Sequence, residues 1–232
     1  MLLHKTPAIA AGLKHLIATV PHFAKADLSR FAWETRDPSF AGLLRMILGQ
    51  QVSGAAAASM WAKLESRLPD PQPKPFLKLK DADLSASGFS RQKMRYARAL
   101  AEALLDGSLD LDRLAHEDDE AAIAELTALP GIGRWSAEVY LMFCLGRPDI
   151  WPAGDLGIAL GTQYLLGWKE RPKPAKVTEA AEPWRPHRTA AALLVWDHYM
   201  AVAAARRQAA RAEQTAKSKR SKRKVKSGGA RA

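Results

Sequence analysis

The chain has 232 residues, 47% of them hydrophobic, and 35 Lys and Arg against 24 Asp and Glu give it a formal charge of +11. That apolar content suffices for a core of its own, as one domain or two small ones. No stretch approaches the length of a signal-peptide core or a membrane span, so a soluble cytoplasmic protein with no membrane partner is expected. The lone cysteine, Cys144, excludes an internal disulfide and leaves too few ligands for a zinc site or a cysteine-held iron–sulfur cluster within one chain.

Thr6-Pro7 opens the first predicted helix, over 8–20, with Ile9, Leu13, Leu16, Ile17 and Val20 at helical spacing. Asp37-Pro38 opens a second, whose apolar face of Phe40, Leu43, Leu44, Ile47 and Leu48 ends at Gly49. Gln50 and Gln51 then stand at a joint before Ser53, a cap for an alanine-rich helix running to about residue 67. Four prolines over 69–75 break the chain, and short helices are predicted around 76–78 and 81–87. Gly88-Phe89-Ser90 caps a helix with Met94, Ala97, Leu100, Ala101, Leu104 and Leu105 on one side. Arg91, Gln92, Lys93 and Arg95 crowd its first turn, where cations oppose the helix dipole unless an anion meets them. Two short acidic helices are predicted over 112–126, another from Asp155 to about 166, one around 175–182, and a last helix bearing Ala191, Leu194, Val195 and His198 on one face. Nothing reads as a sheet, so the expected class is all-α.

From Arg206 onward eleven cations meet one acid, a net +10, so the preceding 205 residues are nearly balanced. Nucleic-acid binding by the core must therefore be argued from its site. The segment 206–232 reads as a basic, disordered tail, either holding phosphates non-specifically or serving as a solubilising extension.

The most informative stretch is Leu129-Pro130-Gly131-Ile132-Gly133-Arg134-Trp135-Ser136-Ala137. Two glycines flanking one apolar residue allow backbone angles that a β-carbon resists, and Trp135, Val139, Met142 and Phe143 then resume helical spacing. This predicts a tight hairpin between two helices over 127–145. The second helix begins with unpaired N–H groups and the positive end of its dipole, and no side chain at the glycines blocks a phosphate. Gly-Ile-Gly alone fits an ordinary interhelical turn equally well. Asp155, twenty-two residues past Gly133, stands at a helix start, where it serves as a simple cap or as a carboxylate offered to a ligand.

Taken together, Ile47-Leu48-Gly49-Gln50-Gln51-Val52-Ser53, Gly88-Phe89-Ser90 with Lys93, the glycine hairpin, Pro152-Ala153-Gly154-Asp155, and Trp184-Arg185-Pro186-His187-Arg188 through Trp196 resemble the helix-hairpin-helix (HhH-GPD) DNA glycosylases. Within them they resemble the 3-methyladenine DNA glycosylase II branch, here without the N-terminal β-domain of some members. The resemblance covers residues 15 to 205 and implies a domain over 1–205 of two interleaved helical subdomains with the active-site cleft between them. It further implies a monofunctional enzyme, acting as a monomer on double-stranded DNA, that flips out alkylated purines and hydrolyses the N-glycosidic bond to leave an abasic site.

By the same resemblance Asp155 is the catalytic carboxylate, stabilising an oxocarbenium-like sugar and orienting water. Trp135, Tyr140 and Trp33 are assigned to the base pocket, with Trp151 and Trp184 as further candidates, and core packing is the competing reading for Tyr140, Trp33, Trp151 and Trp184 alike. Gly131, Ile132, Gly133, Arg134, Gln50, Gln51, Ser90, Arg91, Gln92 and Lys93 are assigned to DNA binding, with Arg91 or Gln92 near the place where relatives wedge the emptied base stack. No cofactor is required, and the carbonyls of Thr127, Leu129 and Gly131 are the expected seat of a structural Na+ or K+. A lysine that forms a Schiff base in strand-nicking relatives is replaced here by Trp135. A catalytically silent DNA-binding module and a glycosylase for uncharged lesions are the alternatives.

Overall fold

The computed structural model describes the backbone of residues 1–228 and the side chains of residues 1–214. Side-chain caps fix several helix starts: Ser39 Oγ accepts the Gly42 N–H, Ser53 that of Ala56, and Ser90 that of Lys93. The second helix is thus capped by Ser39 rather than by Asp37, because Pro38 and Ser39 carry the chain one step further before it turns. Among the described residues the α-helices are α1 (Pro7–Thr19), α2 (Phe40–Gly49), α3 (Gly54–Glu65), α4 (Pro73–Leu77), α5 (Asp81–Ala86) and α6 (Arg91–Asp106). They continue with α7 (Leu111–His116), α8 (Asp119–Thr127), α9 (Arg134–Phe143), α10 (Leu156–Leu165), α11 (Pro174–Ala181) and α12 (Arg188–Gly228). The extended pairing among these residues is a single antiparallel bridge between Leu2 and Glu34, so the all-α class stands.

The packing is interleaved. The first helix, α1, lies against α12, which also carries α10, while α11 packs on α10. The middle of the chain builds its own group: α2 with α3 and α6, α4 and α5 on α6, then α7 on α8 and α8 on α9. One half thus takes its helices from both ends of the chain. Its aromatic centre runs Phe23, Trp184, Trp151, with successive ring centroids 5.3 Å apart. The other half centres on Phe40, Phe76 and Phe89, at 5.5 and 6.1 Å. Trp151 and Trp184 are therefore core residues, and the Trp151 indole N–H donates to the Val177 carbonyl at 3.0 Å.

The last helix reaches into the expected tail. It runs without interruption through the basic segment to Gly228, where the sequence predicts a disordered tail from 206. Ala, Arg, Lys and Gln dominate this stretch, glycine is absent until its end and proline is absent throughout, a composition that favours helix. Residues 229–232 of the expected tail lie outside the described residues. No described helix is long and apolar enough to cross a membrane.

Candidate active site

Asp155 is the N-cap of α10, and its two carboxylate oxygens are used differently. Oδ1 accepts the Ile158 backbone N–H at 2.9 Å and the Trp196 indole N–H at 2.8 Å; Oδ2 accepts the Trp135 indole N–H at 2.8 Å. The cap fixes the carboxylate against α10, while two indoles from α9 and α12 fix the plane of the carboxyl. Asp155 is both a cap and a presented carboxylate, so the two sequence readings coexist. Trp135 stays 45% exposed, which leaves a face of its ring open beside the carboxylate.

An aromatic triangle continues from Trp196. Its ring lies 5.7 Å from Trp33 and 6.1 Å from Phe143, and Trp33 and Phe143 are 6.1 Å apart. The segment bearing Trp33 is tied down on both sides: Arg30 pairs with Asp197 at 2.7 Å, and the Arg36 N–H donates to the Phe143 carbonyl at 2.8 Å while its guanidinium covers the Phe143 ring. Trp135 thus touches Asp155 directly, and Trp33 reaches it only through the Trp196 ring. Tyr140 does neither. It is fully buried, its hydroxyl has no hydrogen-bond partner, and burial pushes that hydroxyl far above its ordinary pKa. On a helix it lies about 140° around from Trp135, facing the core. The residues with no role in the sequence reading are Trp196, on a helix 41 positions after Asp155 in the chain, and Gly157. A β-carbon at Gly157 would stand 3.0 Å from both Asp155 Oδ1 and Trp196 Cδ1.

The hairpin has the conformation its glycines suggest. Gly131 has φ +86°, and a β-carbon there would overlap the Tyr96 ring at 2.1 Å, so only glycine fits. Gly133 is the N-cap of α9 with no capping side chain, and a β-carbon there meets nothing within 4 Å. Its value is open space over the helix N-terminus, where unpaired N–H groups face outward. Ile132 is buried, so only its backbone is available at the tip.

Several polar residues assigned to DNA have partners within the protein. Gln50 Nε2 donates to the Gly131 carbonyl at 2.8 Å, bracing the hairpin from the α2–α3 joint. Lys93 turns inward and its ammonium donates to the Leu48 carbonyl at 2.6 Å, closing the C-terminus of α2. Gln92 donates to the Tyr96 hydroxyl. The Arg134 guanidinium holds both Glu120 oxygens, at 2.6 and 3.0 Å, and Glu138 Oε1 at 2.9 Å. Gln50 and Lys93 are thus turned to backbone carbonyls, while Gln92 and Arg134 stay exposed and pair with neighbouring side chains. Ser90 caps α6, and Arg91 remains exposed. Gln51 is exposed too, with φ +57°, the single left-handed non-glycine among the described residues, and places its side chain at the tip of the joint beside the half-exposed Val52.

A pocket of about 400 Å³ is lined by Trp135 and by Gly154, the residue before Asp155, together with Arg134, Glu138, Asp149 and Arg188. Glu138 is 5% exposed, and burial pushes its carboxyl up to about 7 against the opposing pull of Arg134. Asp155 does not line this pocket itself, but the indole that holds its Oδ2 does. Cys144, at the end of α9, has its thiol pushed up to about 12 by burial, which fits an inert thiol.

Of the three carbonyls expected to hold a monovalent cation, that of Gly131 accepts the Gln50 amide and that of Leu129 accepts the Ile132 N–H at 3.2 Å. Each carbonyl has a second lone pair, and neutral oxygens suit such an ion. Among the described residues no group of three or more His, Cys, Asp or Glu side chains could hold a metal.

The chain is similar in sequence and fold to known proteins. DNA-3-methyladenine glycosylase 1 of Schizosaccharomyces pombe is 33% identical over 175 residues, covering 70% of this chain and 73% of that protein. Among solved structures, the S. pombe 3-methyladenine DNA glycosylase in complex with abasic DNA superposes with a TM-score of 0.70 at 28% identity, covering 80% of this chain and 95% of that one. A DNA-3-methyladenine glycosidase from Bacillus halodurans also gives 0.70 at 28% identity, over 84% of this chain and 90% of that one. Residues 44–186, which hold the joint, the hairpin and Asp155, match the family profile, and the chain belongs to the HhH-GPD superfamily of base excision DNA repair proteins.

Proposed function

We propose that this chain is a monofunctional DNA-3-methyladenine glycosylase: it flips an alkylated purine out of duplex DNA and hydrolyses its N-glycosidic bond, leaving an abasic site. The observation that carries this is the Asp155 carboxylate, oriented by three N–H donors beside the open face of Trp135. Loss of the base leaves an electron-poor, oxocarbenium-like sugar, and a fixed carboxylate facing it stabilises the developing positive charge. Because Oδ1 already accepts two hydrogen bonds and Oδ2 one, Oδ2 is the oxygen with capacity to meet the anomeric carbon or to orient the attacking water. A flipped cationic base stacks on an aromatic face and gains from its quadrupole, a place Trp135 supplies.

The backbone at Gly131, Ile132 and Gly133 receives a phosphate on the N-terminus of α9. A Na+ or K+ on the Thr127, Leu129 and Gly131 carbonyls would add positive charge there when bound. Gln51, exposed at a left-handed tip, is the side chain that enters the emptied stack, with Arg91 and Ser90 along the neighbouring backbone. No amine stands at Trp135 to capture the sugar, and Lys93 is turned to the Leu48 carbonyl, so strand cleavage does not follow base release. The enzyme works as a monomer, in the cytoplasm with its DNA.

The test is base release from methylated duplex DNA by wild type and Asp155→Asn, with strand breaks scored before and after hot alkali. Wild type releases base and breaks appear only after alkali. The variant keeps DNA affinity and loses excision by roughly a hundredfold or more, since an amide presents N–H where the sugar cation needs negative charge. Binding without release by wild type would instead favour the silent module.

A further inference from the structure

The feature that the active site leaves unused is the basic end of α12. Three contacts fix its direction. Trp196 meets Asp155 and Gly157 at the start of α10; Val195 and Tyr199 lie over Gly161 in its middle; Arg206 donates to the Tyr164 hydroxyl at 3.0 Å near its end. The two helices therefore run side by side in the same direction, and each turn away from Asp155 along α10 is a turn toward the basic segment along α12. With a rise of about 1.5 Å per residue, Lys217 lies about 30 Å and Lys226 about 45 Å beyond Trp196. The end of α10 that bears the carboxylate faces the lesion, so α12 carries its charge away from it.

Seven of the ten residues over 217–226 are Lys or Arg, and no acid follows Glu213. Like charges this dense along one chain repel, and a dense polyanion relieves that repulsion. The composition also selects the polyanion. The stretch has no aromatic residue on which single-stranded bases could stack, and one apolar residue, Val225, where a membrane-surface helix needs an apolar face. The phosphates of a duplex remain.

We propose that the 217–226 segment of α12 is a second DNA-binding element, which holds a stretch of duplex other than the one whose base occupies the cleft. The consequence is bridging: the enzyme docks on one duplex segment by this helix while its cleft samples another, and passes between segments without full release. This rests on the reading that the core acts on duplex DNA.

The test uses the full chain and a variant in which Lys217, Lys219, Arg220, Lys222, Arg223, Lys224 and Lys226 are all replaced by Gln, which preserves length and helix propensity. A donor-labelled duplex of about 12 base pairs with a central abasic site extends about 20 Å either side of it, too short to reach the segment. Energy transfer to an acceptor-labelled undamaged duplex reports bridging. Wild type brings the two duplexes together, with a log–log salt slope for the second duplex of about −4 to −6, and the variant loses bridging by roughly tenfold or more. Single-turnover excision from a methylated version of the short duplex stays within about twofold in the variant, since the cleft is untouched. Equal bridging by both chains overturns the proposal. So does affinity that grows only when the lesion duplex itself is lengthened, or an acceptor RNA that outcompetes the duplex. Failure of the core reading is separate: neither chain would then release base from the short methylated duplex.

Discussion

Glu138 is a carboxyl that the fold prefers neutral, and removing its charge should stabilise the protein on the alkaline side. In the unfolded chain it titrates near 4.5; in the fold burial raises it to about 7, even with Arg134 Nε at 2.9 Å. A group whose folded value lies above its unfolded one contributes its full stability below the unfolded value and loses it as pH rises through the folded value. The window here is pH 4.5 to 7. At about 1.36 kcal/mol per pH unit, ionising Glu138 costs the fold on the order of 3 kcal/mol by pH 8.5. Glu138→Gln keeps the shape and stays neutral throughout, and Arg134 retains both Glu120 oxygens. Urea unfolding of both proteins at pH 4, 7 and 8.5 measures the effect. The gap between variant and wild type should swing toward the variant by roughly 3 kcal/mol from pH 4 to pH 8.5, most of it between pH 5 and 7. A gap that does not change with pH would refute the reasoning, because it would mean that the Glu138 carboxyl titrates alike in the folded and unfolded chains.

Two further substitutions test the site. Gly157→Ala places a methyl 3.0 Å from Asp155 Oδ1 and from Trp196 Cδ1, so the clamp must open. Single-turnover excision should fall roughly tenfold or more, while thermal unfolding changes by about 1 kcal/mol or less because alanine favours helix. Tyr140→Phe removes a buried hydroxyl that has no partner. Denaturant unfolding should show no loss, or a gain of up to about 1 kcal/mol, and excision should be unchanged; a drop in excision would return Tyr140 to the base pocket.

The backbone was largely legible in the sequence because its determinants are local. Ser53, Ser90 and Asp155 cap the helices they precede, and Gly131 adopts the positive φ that its place in the hairpin demands. Side-chain direction was less legible because it depends on partners far away in sequence. Nothing near Lys93 announces that its ammonium will close a helix ending 45 residues earlier, and nothing near Arg134 separates a phosphate contact from a partner to Glu120. Trp196 was hidden for the same reason: its role exists only where α12 crosses the start of α10. Tyr140 was avoidable, since Trp135, Val139 and Met142 share a helix face and Tyr140 does not. The helix over 206–228 follows composition, which a reading of charge alone passes over.

The partners of Asp155 also set the kind of base this site can expel. All three are N–H groups, two indoles and one backbone amide, and none gives up a proton near neutral pH. The network therefore orients the carboxylate without supplying an acid to the departing base. A purine alkylated at a ring nitrogen already carries positive charge and leaves as a neutral molecule, so it needs no proton. A neutral purine such as hypoxanthine leaves as an anion unless it is first protonated, and the three donors on Asp155 do not supply that proton. Single-turnover release of an alkylated purine should thus be nearly flat from pH 6 to 8.5, whereas release of hypoxanthine should be slower and fall toward tenfold per pH unit, the slope of a pre-equilibrium protonation. Equal and flat profiles for the two bases would show that the site supplies a proton by another route, and with it the preference for cationic bases would lose its physical basis.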